Sequence, residues 1–243
     1  MNPIATLVTI AVLTAITLAI VLALRLEKPW LQPWAILRAV VQLGILSLIL
    51  HGIIANPVWV GLFLLVMVGA ATWVVFRRLD LAPGRIPTVV LTMVVASAIP
   101  TLAVFVTGAV EFSPRYLLAV GGIVIGNVMT VSTLMGRSTA ALFVSDRDQI
   151  EGWLALGAPI RTATRREVRL AASTALIPST DQTRTTGIVT LPGAFVGAVF
   201  AGASPLEAAQ FQLIVLAAIL AAGALAAASW TFALGAPKTL PLA

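Results

Sequence analysis

The chain has 243 residues, of which 60% are hydrophobic and only 10% charged, with a formal net charge of +6 and no cysteine. A soluble domain usually carries about 25% charged residues, so the composition excludes an ordinary globular protein and points to a polytopic membrane protein of all-α class. Absence of cysteine excludes a disulfide framework and a thiolate metal site. The positive charge lies in alternate loops, which excludes a nucleic-acid surface.

A membrane-spanning helix takes about 20 apolar residues, and seven apolar runs are expected to form such helices. They are residues 4–24, 35–50, 58–76, 89–107, 117–135, 187–201 and 208–234. The first run lacks a basic leader and is expected to stay as an uncleaved span. Arg25 and Lys28 follow the first run, Arg77, Arg78 and Arg85 the third, an arginine-rich segment the fifth and Lys238 the seventh. The intervening loops hold almost no Lys or Arg, Arg115 excepted. The positive-inside rule then puts the N-terminus outside and the C-terminus in the cytoplasm. Trp30, Trp34 and Trp59 stand at the starts of spans, where aromatic belts occur. His51, the only histidine, is expected at the outer end of the second span as a solvated or packing residue. One transmembrane domain over residues 1–243 is expected, with a helical cytoplasmic segment at about 136–186.

That segment is the one long polar stretch. Asp146 and Asp148 suit a helix N-terminus. Glu151, Trp153 and Leu156 belong to a short helix that Gly157 and Pro159 end. A second helix, at about 162–176, carries Arg161, Arg165, Arg166 and Arg169 on its early turns. The two helices make an exposed knob, which can act as a docking surface or as a basic helix lying on anionic lipid.

The run at 187–201 is short for a bilayer and must be extended by the polar segment before it. Gln182, Thr186 and Thr190 recur every four residues, as do Asp181 and Thr185. One helix through them would carry a hydroxyl and amide stripe into the membrane, which must face protein or water. Pro192 would kink that helix, and Gly193 and Gly197 would offer a close-packing face. Such a helix suits a gate, or equally a tight structural crossing. Asn127 lies mid-span, where its amide needs a partner, either another helix or a substrate path. Arg38 and Gln42 share one face of the second span and suit anchoring or the path.

Glu-x5-Gly in a cytoplasmic loop resembles the coupling motif of ABC importer permeases, although Ile177-Pro178 falls late after Gly157. A fuller resemblance covers nearly the whole chain. It is carried by Arg38 to Leu43, Gly126 to Met129, Glu151 to Ala158, Ala175 to Asp181, Thr186 to Gly193, Phe200 to Pro205 and Ala209 to Gln212. These stretches are similar to the permease subunit of the Fet-type iron-export ABC transporters, related to plant aluminium-tolerance half-transporters. Ala194 and Phe195 stand where that family commonly has methionines, and Phe211 where it has tyrosine.

The resemblance implies a non-enzymatic permease in the inner cell membrane that exports iron or another metal cation. It binds no cofactor itself, while ATP and Mg belong to a separate cytoplasmic ATPase subunit. A second copy of the chain and the lipid bilayer are the other partners, with no nucleic acid. Coupling then falls to Glu151, Trp153, Leu156, Gly157, Arg161 and Arg165. The path or gate falls to Arg38, Gln42, Asn127, Asp181, Gln182, Thr186, Thr190 and Pro192. A secondary transporter without a motor and a membrane scaffold are the other readings.

Overall fold

Four helices begin at an Asn-Pro or Ser-Pro pair, and the pairing has a physical cause. Proline presets the first helical residue and gives up a donor that has no intrahelical acceptor there, while the preceding side chain accepts a free backbone N–H. In the computed structural model, which describes residues 2–54 and 56–237, Asn2 accepts from Ile4 N at 3.0 Å and Asn56 from Val58 N at 2.9 Å. Ser113 accepts from Tyr116 N at 3.3 Å. Ser204 and Glu207 close a reciprocal capping box. Lys238 and the side chain of His51 lie outside the described residues.

The chain is helical almost throughout and forms two compact units, Met1–Ala55 and Asn56–Ala243. The first is a hairpin of α1 (Pro3–Ala23) and α2 (Leu31–Ile53). Left-handed Arg25 and Lys28 turn the chain between them. Arg38 and Gln42 are exposed on α2.

The second unit contains α3 (Pro57–Arg78), a 3-10 turn at Pro83–Arg85, α4 (Ile86–Val106), α5 (Pro114–Ser145), α6 (Arg147–Ala155), α7 (Ile160–Ala163), α8 (Arg165–Thr185), α9 (Gly193–Phe200) and α10 (Pro205–Leu234). Its centre is α5, whose Val120, Val124, Val128 and Val131 are buried among α3, α4, α8 and α10. Where lipid is as apolar as the core, dispersion contacts and interhelical hydrogen bonds, more than water exclusion, hold such helices together. The valines and Gly121 keep α5 narrow. Gly121 lies against Leu64 and Gly136 against Leu79, an equal offset that makes α3 and α5 parallel.

Side-chain contacts fix the other directions. At one end the Tyr116 and Phe211 rings meet at 5.3 Å, so α5 and α10 start together. Phe105, at the end of α4, meets Phe112 at 5.6 Å. At the opposite, basic end Arg85 Nη1 donates to the Ala233 carbonyl at 2.7 Å, and Thr164 Oγ1 donates to Gly235 O at 2.9 Å. Thus α4 and α8 run against α3, α5 and α10.

Among the described residues six helices are long and apolar enough to cross a membrane: α1, α2, α3, α4, α5 and α10. The expected span at 187–201 is not a spanning helix. Only Gly193–Phe200 is helical there, 8 residues or about 12 Å. The polar segment before it supplies the length, as α8, which packs against α5 and α10. Its helix therefore runs past the expected limit at 176, because Val168, Ala171, Ala175 and Ser179 form a buried stripe along it.

Candidate functional site

Two polar regions of the second unit stand out, a knob at the basic end and the open face of α8. The knob stands on α5, whose 32 residues reach about 48 Å, well beyond a 30 Å hydrocarbon core. The Asp146 backbone breaks from helical geometry, and α6 starts a new direction with Ile150 buried beneath it. Gly157 then ends α6 in a Schellman motif: Gly157 N donates to Leu154 O at 2.9 Å and Ala158 N to Trp153 O at 3.0 Å. Its φ of +85° is a left-handed conformation that favours glycine.

Around this corner Trp153 and Leu156 are 55% and 83% exposed and form an apolar tip. Arg161 and Arg165 flank it, both exposed. Glu151 is not a free carboxylate, since Arg147 Nε donates to it at 2.7 Å. Arg166 Nη1 donates to Gln149 Oε1 at 2.7 Å, tying α8 to α6. Glu167, absent from the sequence reading, is buried with Oε2 unpartnered, and lines a hollow of about 410 Å³ with Trp153, Arg165 and Arg169. The Thr164-x-x-Glu167 spacing is its only sequence signal. It is a capping-box pattern, left open because Thr164 turns its hydroxyl to Gly235.

Asn127 ties three helices together in the middle of the unit. Its Nδ2 donates to Ile219 O at 3.0 Å and its Oδ1 accepts from Ser179 Oγ at 2.8 Å. Both ends of the amide thereby bond to neighbouring helices. Ser179 was not singled out in the sequence, although it continues the i, i+4 spacing of Ala171 and Ala175.

Opposite that buried stripe, α8 leaves Ser173, Ile177, Thr180, Asp181, Gln182 and Arg184 exposed. The helical stripe expected through Gln182, Thr186 and Thr190 is not formed, because α8 stops at Thr185. Thr186 Oγ1 folds back onto Gln182 O at 2.7 Å, and Gly187, at φ +84°, donates from its N–H to Thr190 O at 2.9 Å. Pro192 kinks no helix. It is the extended residue just before α9, where a missing donor costs nothing. Among the described residues of the second unit nothing lies within 4 Å of a Cβ built on Gly193 or Gly197, so neither makes the close helix contact expected of it there. Arg38 and Gln42 belong to the first unit. Among the described residues no group of three or more His, Cys, Asp or Glu side chains is placed to hold a metal ion.

A discontinuous polar helix beside apolar ones, with an exposed corner at its basic end, is the geometry to compare with known proteins. Residues 4–236 match the family described as Uncharacterised protein family (UPF0014). The chain belongs to the UPF0014 family. It is 35% identical to the UPF0014 membrane protein STAR2 of Oryza sativa over 78% of this chain and 67% of that protein. With Protein ALUMINUM SENSITIVE 3 of Arabidopsis thaliana the identity is 30%, over 82% and 74%. The Probable iron export permease protein FetB of Escherichia coli is 28% identical over 92% and 86%. No solved structure matches. This UPF0014 chain is a multi-pass membrane protein, and the resemblance read from its motifs holds.

Proposed function

We propose that this UPF0014 chain is the permease subunit of an ABC transporter. It moves a metal cation such as iron outward across the inner cell membrane, while a separate cytoplasmic ATPase subunit binds and hydrolyses ATP with Mg. The knob carries the proposal: a Gly157-ended corner exposes Trp153 and Leu156 between arginines, an apolar centre with a polar rim of the kind protein interfaces use. The name of the FetB relative supports both the permease role and the cargo. In this reading the basic end faces the cytoplasm, consistent with Arg77, Arg78, Arg85, Arg161 and Arg165 lying on that side.

The knob would seat in a groove of the ATPase subunit, and the open face of α8 would line the path. Glu151, held by Arg147, shapes the knob more than it reaches for a partner. Copurification with the ATPase subunit and stimulation of its ATP hydrolysis form the test. Trp153→Ala with Leu156→Ala should abolish both while leaving membrane insertion intact. Undiminished stimulation by that double variant would remove the coupling role of the knob, and no copurification or stimulation by the unaltered chain would remove the ABC reading.

A further inference from the structure

The exposed charges of α8 lie too deep to face lipid. Asn127 is 13 residues along α5 from Pro114, about 20 Å below the end where α5 and α10 begin. Ser179 is hydrogen-bonded to it at 2.8 Å, and α8 runs back toward that end. Asp181 is therefore about 17 Å below it and Arg184 about 12 Å, both inside a 30 Å hydrocarbon layer. Both side chains are exposed in the single chain. The one ion pair among the described residues is Arg147–Glu151, so neither charge is neutralised by a neighbour. Facing hydrocarbon, each would cost about 2.5–3.5 kcal/mol.

A two-fold axis answers this arrangement directly. In an isologous interface a residue meets its counterpart's partner and the reverse holds for the second copy. With both copies in the same orientation the axis runs along the membrane normal, so the two α8 helices lie side by side and Asp181 of one is offset in depth from Arg184 of the other by only about 4.5 Å, a diagonal that an arginine side chain reaches. We infer that the open face of α8 meets the same face of a second copy, with Asp181 of each chain paired to Arg184 of the other. Thr180, Ile177 and Ser173 continue the contact toward the basic end, where their modest side chains allow close approach. The reciprocal pair closes the path of the proposed transporter between the two copies. This deepens the permease reading and rests on it for the word path; the interface itself does not need the ATPase subunit.

Cysteine crosslinking tests the interface in native membranes, because the chain has no cysteine of its own. Thr180→Cys should give an oxidised dimer at twice the chain mass, and Leu102→Cys, on the open apolar face of α4, should not. Asp181→Arg and Arg184→Asp should each lower the dimer fraction by about tenfold or more, since like charges then face each other. The double exchange Asp181→Arg/Arg184→Asp should restore it. Asp181→Asn should weaken the dimer less than Asp181→Arg.

No dimer from Thr180→Cys overturns the interface, whether water or the chain's own hairpin covers α8 instead. Absence of rescue in the double exchange overturns the reciprocal pair. Crosslinking without copurification of an ATPase subunit would leave the interface standing and remove the ABC reading; copurification without crosslinking would do the reverse.

Discussion

Helices α4 and α8 are each 21 residues long, run against α5 and α10, and carry an internal proline, Pro100 and Pro178. The residue before each proline is an isoleucine, Ile99 and Ile177, and each is 52% exposed. Backbone and exposure match, yet the open faces differ in chemistry. Beside Ile99, α4 shows Leu91, Val94 and Leu102; beside Ile177, α8 shows Ser173, Thr180, Asp181 and Arg184. Hydrocarbon satisfies the first face and cannot satisfy the second. Exposure in an isolated membrane chain is thus two different facts, a lipid contact or an unfilled polar contact, and only side-chain chemistry separates them.

Matched substitutions at those isoleucines break the comparison most sharply. Ile99→Asp should cost about 2.5–3.5 kcal/mol of insertion free energy and cut accumulation in the membrane. Ile177→Asp, on a face already polar, should leave insertion close to native. Membrane fractions and protease protection measure both, and equal losses would mean that α8 faces lipid as α4 does.

The next effect concerns how α8 is held. Asn127→Leu removes both bonds of the amide and leaves the Ser179 hydroxyl without that partner, a loss of about 1–3 kcal/mol, while the Ile219 carbonyl keeps its own helical bond within α10. The melting temperature in detergent should fall, and cysteine accessibility along α8 should rise. A change at α4 of equal size would show that Asn127 steadies the whole unit and not α8 in particular.

Smaller effects are expected at the knob. Gly157→Ala forces a side chain into the left-handed region at φ +85° and should cost about 1–2 kcal/mol locally. It should loosen the corner and reduce ATPase stimulation. Glu151→Gln removes only an exposed i, i+4 ion pair and should change stability by less than about 1 kcal/mol. Thermal melts of the two variants separate the roles, and a larger loss for Glu151→Gln would return that carboxylate to the centre of the docking surface.

The sequence by itself determined the class, the capped helices and the corner. Apolar runs of membrane length, Asn-Pro and Ser-Pro starts at residues 2, 56, 113 and 204, and a glycine after Leu156 act through local physics that needs no distant contact. Reading α8 required more. Asp181, Gln182 and Thr186 were visible as polar residues near a short apolar run, but a continuous helix through Thr190 was the wrong extrapolation, because Gly187 and the Thr186 hydroxyl close a turn that helical spacing cannot reveal.

Tertiary structure alone decided which neighbours the buried face of α8 meets. Val168, Ala171, Ala175 and Ser179 could have faced any neighbour, and the bond from Ser179 to Asn127, 52 residues earlier, is what selects α5 and α10. Once that bond sets the rotation of α8, Asp181 and Arg184 are turned outward together at membrane depth. The i, i+4 spacing of Ala171, Ala175 and Ser179 marks a face of α8, but a hydrogen bond between residues so distant in the chain leaves no trace of its partner in either segment, which is why the placement of Asp181 and Arg184 could be seen only in the folded unit.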